Sequence, residues 1–142
     1  MGELMSEIVR FGISLEKELL EKFDKLSKEK QYPNRSEAIR DLIREELVKR
    51  EWIEGKEVAG SITLVFDHHK RELMNTLTDI QHDFYQLIIS SQHVHLDHDN
   101  CLEIIVVRGK PRGVKKLADK LRATKGVKYG ALSIATTGKE LV

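Results

Sequence analysis

Three side chains in one short run have the types and the spacing to hold a metal ion. His93 and His95 are two residues apart, so on a strand both rings leave the same face, roughly 7 Å from each other along the chain. The sole cysteine, Cys101, follows six residues after His95, beyond Asp97, His98, Asp99 and Asn100. An Asp/Asn-rich run of that kind is turn material, and a hairpin turn there swings Cys101 back beside the imidazoles. A lone buried cysteine is usually a small hydrophobe, and a histidine on an exposed strand is usually solvated. Two borderline nitrogens and one soft thiolate converging on a point nevertheless suit a late first-row divalent ion. Three ligands leave a fourth position open; His82 could close it, though its place in the sequence alone does not say so.

Composition bounds what surrounds these residues. A chain of 142 residues makes one ordinary domain or two small ones. With 33% charged residues and a net charge of +1, the chain has no basic excess that would bind nucleic acid by bulk charge. No apolar run approaches the length of a membrane span. The order Met-Gly-Glu-Leu-Met-Ser-Glu at the start lacks the basic-then-apolar pattern of a secretory signal. A single cysteine cannot form an internal disulfide, and a free thiol fits a reducing cytoplasm.

The N-terminal third reads as a strand and two helices. Val9, Phe11, Ile13 and Leu15 alternate with Arg10, Gly12 and Ser14, the pattern of a half-buried strand. Leu15, Leu19, Leu20, Phe23 and Leu26 then carry a helical period, with Ser14 as the expected N-cap. Pro33 breaks that helix, and a second begins at a cap provided by Asn34 or Ser36, with Ala38, Ile39, Leu42, Ile43 and Leu47 on its inner face. One strand and two helices in about 50 residues cannot cover their own apolar faces. The economical solution is a two-fold dimer whose strands pair antiparallel and whose helices interlock. Such a ribbon fits the DNA major groove and presents Arg10, Gly12 and Ser14 to base edges. Through Glu51 there are eleven Lys/Arg against twelve Asp/Glu, so DNA affinity must come from the placement of charge, chiefly Arg10 and Arg35.

Residues 1–51 therefore form one expected domain and 52–60 a linker, with Trp52 and Ile53 either continuing the second helix or docking it. Residues 61–142 form the other domain. There the pattern runs strand (Ile62 to about Asp67), helix (about Lys70 to Phe84), strand (Leu87 to Leu96), strand (Leu102 to Val107), helix (Pro111 to Lys125) and strand (Val127 to Ala135). The order β-α-β-β-α-β is the ferredoxin-like unit, and the metal stretch spans its central hairpin. The whole is an α+β protein.

These segments also resemble a family. The Arg-x-x-x-Ser-Leu strand at Arg10 to Leu15, the Asn-Arg-Ser-Glu-Ala-Ile-Arg-Asp segment at 34 to 41, Gln81-His82, His93-Val-His95 and Asp99-Asn-Cys-Leu-Glu103 occur in register. Together they resemble NikR, the nickel-responsive transcriptional repressor, over essentially the whole chain. The resemblance implies a ribbon-helix-helix domain followed by an ACT-type domain that binds nickel and tetramerises. It implies one Ni²⁺ per subunit in a square-planar site, held by His93, His95 and Cys101 of one subunit and His82 of another. Gln81 and Glu103 match residues of the network around that site. Arg10, Gly12 and Ser14 match the base-contacting positions, although Gly12 stands where the family usually has Thr. Asn34, Arg35 and Ser36 match phosphate contacts at a helix N-terminus, and Lys70 and Arg71 match DNA-backbone contacts of the nickel-bound form. Glu37 and Asp41 match carboxylates that hold potassium between domains. A dimer of dimers with two ribbons implies an inverted-repeat operator, and the resemblance implies that it belongs to nickel-uptake genes.

Two rival readings remain at this level. A metal-dependent enzyme would use His93, His95 and Cys101 with an open position and Glu103 as base, but no nucleophile or substrate-pocket signal accompanies the triad. A ribbon-helix-helix regulator with another effector would sense a small molecule, or zinc or cobalt at sites built by His68, His69 and His98.

Overall fold

The structure, a computed structural model, describes residues 7–142; Met1 to Ser6, whose order argued against a secretory signal, lie outside them. The described residues divide into two compact units, one running to Leu47 and including Glu140–Val142, the other spanning Val48–Lys139. Among the described residues no helix is long and apolar enough to cross a membrane.

The first unit is built on α1 (Lys17–Glu29) and the start of α2 (Arg35–Glu54). Leu19, Leu20, Phe23 and Leu26 line one stripe of α1, yet that helix buries no residue. Helix α1 starts later than expected. Its N-cap is Glu16, without a side-chain capping bond, which leaves Ser14 two residues short of the N–H groups it was expected to cap. Gln31 takes a positive φ of 63° just ahead of Pro33, in the connection between the two helices. Helix α2 is capped in the expected way: Asn34 Oδ1 accepts the Glu37 N–H at 2.9 Å. The alternating segment from Ile8 to Leu15 forms no ladder within the single chain, and Phe11 is 73% exposed. A strand needs an edge to pair with, and the elements that follow it in this unit are helices.

Helix α2 absorbs part of the expected 52–60 linker. It continues through Glu54, Gly55 stops it at φ 77°, and the next strand starts at Val58. Trp52 therefore continues the helix and also docks it. Its indole N–H donates to the Ala135 carbonyl at 2.8 Å, and the ring is 5% exposed.

The second unit is a four-stranded antiparallel sheet of β1 (Val58–Asp67), β2 (Ile88–His95), β3 (Asn100–Gly109) and β4 (Val127–Ile134), in the order β2-β3-β1-β4. Helices α3 (Arg71–Asp83) and α4 (Pro111–Arg122) supply the remaining elements. This is the ferredoxin-like arrangement expected from the pattern. Strand β1 shows why one face is covered: Val58, Ile62, Leu64 and Phe66 are fully buried and Gly60 lies with them, while Ala59, Ser61, Thr63 and Val65 on the other face are only half-buried. Cys101, Glu103, Ile105 and Val107 of β3 fall on that same face, opposite Phe66, Leu64, Ile62 and Gly60. Leu73 and Leu77 of α3 and Val114, Leu117 and Leu121 of α4 close the core. Gly126, at φ 102°, turns the chain from α4 into β4, where a side chain would be strained.

Candidate metal centre

The hairpin of β2 and β3 decides which side chains share the site. Its register places His93 opposite Glu103 and His95 opposite Cys101. Strand side chains alternate, so all four project from the helix-covered face. The turn between the strands is held by Asp97, whose Oδ1 accepts the N–H groups of Asp99 at 2.9 Å and Asn100 at 2.8 Å.

Within this face the contacts form a chain. Cys101 Sγ lies 3.6 Å from His93 Nδ1. His93 Nε2 in turn lies 3.5 Å from Glu103 Oε2. The other Glu103 oxygen accepts a hydrogen bond of 2.9 Å from the Gln81 amide on α3. Glu103 is only 2% exposed, and a carboxyl so deep needs such partners to be tolerated. Phe66, opposite Cys101 on β1, sets its ring edge-to-face against His93 with centroids 6.4 Å apart. Burial pushes the Cys101 thiol above its ordinary pKa, the Glu103 charge adds to the rise, and a backbone hydrogen bond with Val94 opposes it.

The donor set fits a metal. With metal–sulfur and metal–nitrogen bonds of about 2.3 and 2.0 Å, two ligands at right angles stand about 3 Å apart and two facing ligands about 4.3 Å. The 3.6 Å between Cys101 Sγ and His93 Nδ1 falls inside that range. A ligand imidazole is commonly oriented by a carboxylate on its other nitrogen, which is where Glu103 stands.

The other expected ligands lie elsewhere within the single chain. His95 is on the right face, but its ring stacks on His68, centroids 4.4 Å apart and 5° from parallel. His82 is exposed at the end of α3, with Tyr85 as its ring neighbour at 6.5 Å. The reason is helical geometry. Gln81 points into the sheet toward Glu103, and the next residue is turned about 100° away. His68 sits between His95 and His69, and burial lowers its pKa, helped by the charges of His69 and His95.

Arg10, Gly12 and Ser14 are exposed, and a Cβ added at Gly12 would meet open space. Arg35 holds Asp24 in a two-point pair, Nε to Oδ1 at 2.9 Å and Nη2 to Oδ2 at 2.8 Å. That guanidinium bond holds the Asp24 carboxyl below its usual range. Ser36 is exposed beside it. Lys70 is the N-cap of α3 and Arg71 its first residue, both exposed. The two carboxylates matched to a potassium site have protein partners: Glu37 pairs with Arg40, and Asp41 accepts from the Tyr32 hydroxyl.

Comparisons with known proteins agree on what the chain is similar to. Residues 59–135 match the family described as the NikR C-terminal nickel-binding domain, and residues 9–50 match the ribbon-helix-helix proteins of the copG family. A putative nickel-responsive regulator of Syntrophus aciditrophicus is 58% identical over 135 residues, covering 95% of this chain and 98% of the relative. One from Chlorobium limicola is 60% identical over 134 residues, covering 94% and 100% respectively. A third, from Nitratidesulfovibrio vulgaris, is 56% identical over 138 residues, covering 96% and 99%. Among solved structures, an uncharacterized protein from Thermotoga maritima shares the fold at 13% identity, with a TM-score of 0.52 over 57% of this chain and all of that one.

Proposed function

The chain belongs to the NikR family of nickel-responsive regulators, and from that premise we propose that it is a repressor whose C-terminal unit binds one Ni²⁺ per subunit and thereby promotes binding to an inverted-repeat operator. It is a transcription regulator and not an enzyme. The observation that carries the nickel reading is the run Cys101, His93, Glu103, Gln81, which joins a thiol and an imidazole to a carboxyl and an amide that orient them.

His93 binds through Nδ1, with Nε2 directed at Glu103. His95 completes the same-face set by turning its ring from His68 toward Cys101, its cross-strand neighbour. His82 serves a neighbouring subunit, because α3 turns it away from its own Glu103. A bound nickel ion supplies a planar preference for three nitrogens and one sulfur, a set poorly matched to tetrahedral zinc. Cys101 must give up its proton to bind, so affinity falls as pH falls. A site shared between subunits favours the assembly geometry that places two ribbons and the Lys70/Arg71 pair on DNA. Arg10 and Ser14 then read base edges, while Asn34, Arg35 and Ser36 meet phosphate; Arg35 must exchange Asp24 for it. Assembly is a dimer of dimers, and potassium at Glu37 and Asp41 would require both carboxylates to leave Arg40 and Tyr32.

The test is linkage. Nickel affinity measured with and without operator DNA must differ by the factor by which nickel tightens DNA binding. Equal nickel affinities in the two states overturn the proposal.

A further inference from the structure

The Cys101 centre does not use every metal-binding side chain in the second unit. On its surface, His69 from the β1–α3 connection meets His98 and Asp99 from the β2–β3 turn. One donor atom from each of the three lies within 4.8 Å of the others, and among the described residues this is the one group of three His, Cys, Asp or Glu side chains so arranged. We propose that His69, His98 and Asp99 form a second metal site, separate from the Cys101 centre, for a late first-row divalent cation such as zinc or cobalt.

The chemistry of the donors selects that class. Two imidazoles and a carboxylate are borderline and hard ligands, unlike the all-oxygen shells of calcium and magnesium, and they lack the thiolate of the first centre. The spacing is close to what an ion needs. Bonds of about 2.0–2.2 Å put neighbouring ligands roughly 3–4 Å apart. His98 Nδ1 and Asp99 Oδ1 already stand 3.1 Å apart. His69 Nε2 lies 2.8 Å from the His98 carbonyl oxygen, a fourth donor in reach. All three side chains are exposed, so they can turn toward a shared ion without disturbing the core.

Both backbones are held in place beforehand. Asp67 Oδ1 accepts the His69 N–H at 2.9 Å, and Asp97 holds the turn that carries His98 and Asp99. A second observation comes from the neighbour of His69. The Nδ1 of His68 is buried without a hydrogen-bond partner, in a ring that packs 4.2 Å from His69 on one side and 4.4 Å from His95 on the other. With His98 5.0 Å beyond His69, four imidazoles run unbroken from the face of Cys101 to the surface triad. Such a row of nitrogen donors is favoured where a cation offsets the cost of gathering them.

The experiment uses the untagged full-length protein. One equivalent of Ni²⁺ per chain is added first, and Co²⁺ or Zn²⁺ is then titrated. A second equivalent is expected to bind, with no new thiolate charge-transfer absorption. The double variant His69→Ala/His98→Ala is expected to keep the first step and to lose the second by at least about tenfold, the loss seen for removing even an outer partner of a metal ligand. Cys101→Ala, with far-UV circular dichroism as the check on folding, is expected to lose the thiolate band and keep the second ion. Uptake of a single equivalent by the wild-type protein overturns the proposal, as does unchanged second binding in the double variant. Loss of the second ion in Cys101→Ala also overturns it, because that ion would then belong to the first centre.

Discussion

The two units of this chain treat their apolar residues in opposite ways. In the C-terminal unit, Ile62, Leu64, Phe66, Ile105, Leu117 and Leu121 have no exposure at all. In the N-terminal unit, Leu19 is 50% exposed, Leu26 56% and Phe11 73%. The difference is one of topology. Four strands and two helices close a core by themselves, whereas a lone strand-like segment and two helices have too little of their own to pack against. The C-terminal unit is thus a finished scaffold on which a metal site can be built. The N-terminal unit leaves its apolar residues uncovered, and we propose that a second copy completes it.

The comparison can be broken most forcefully at Phe66. Phe66→Ala removes a fully buried ring beside Cys101 and is expected to cost about 3–5 kcal/mol, read as the shift in denaturant midpoint multiplied by an unchanged m value. Phe11→Ala removes a ring of the same size from an exposed position. If the N-terminal unit stays unpartnered the cost is within about 0.5 kcal/mol and does not depend on protein concentration. If a second copy covers it, the loss is several-fold larger and grows on dilution.

At the metal centre the effects are smaller in energy but sharp in readout. Gln81→Ala leaves Glu103 Oε1 without its 2.9 Å donor and is expected to weaken nickel binding about 10- to 100-fold while leaving the thiolate band in place. The pH dependence follows from Cys101. Burial holds its thiol pKa above the ordinary thiol range, so at neutral pH the proton is present in the metal-free protein and must leave on binding. Each unit of falling pH then weakens nickel about tenfold for that one proton, and calorimetry in buffers of different ionisation enthalpy counts the protons released.

Asn34→Ala removes the cap of α2 and is expected to cost about 1 kcal/mol of stability. The smallest effect on folding is expected at Gly12. An added side chain there meets open space, so Gly12→Thr should change stability by less than about 0.5 kcal/mol. If Gly12 faces the base edges, the same substitution shifts operator preference in a binding selection; an unchanged preference removes Gly12 from that surface.

Much of this was legible in the residues, and for a local reason. Alternation in β1, the helical period in α3 and α4, and the turn chemistry of Asp97 to Asn100 are short-range signals that do not need the rest of the chain. They were enough to place His93, His95 and Cys101 on one hairpin. Helix ends were less legible: Ser14 looked like the cap of α1, and Glu16 took that place. The run 52–60 looked like a linker because its period fades, while Trp52 held the helix in place by reaching Ala135, far along the sequence.

What the sequence determined by itself was the inventory of donors and the two foldable patterns, because periodicity and residue type are properties of neighbours in the chain. Only the tertiary structure decided how the donors are grouped. The β2–β3 register set His93 against Glu103 and brought Cys101 to it, the packing of α3 gave Gln81 to Glu103 and turned His82 outward, and two connections far apart in sequence brought His69 to His98 and Asp99. Those pairings depend on which face of an element is buried, and that is settled by the whole core rather than by any one segment of it.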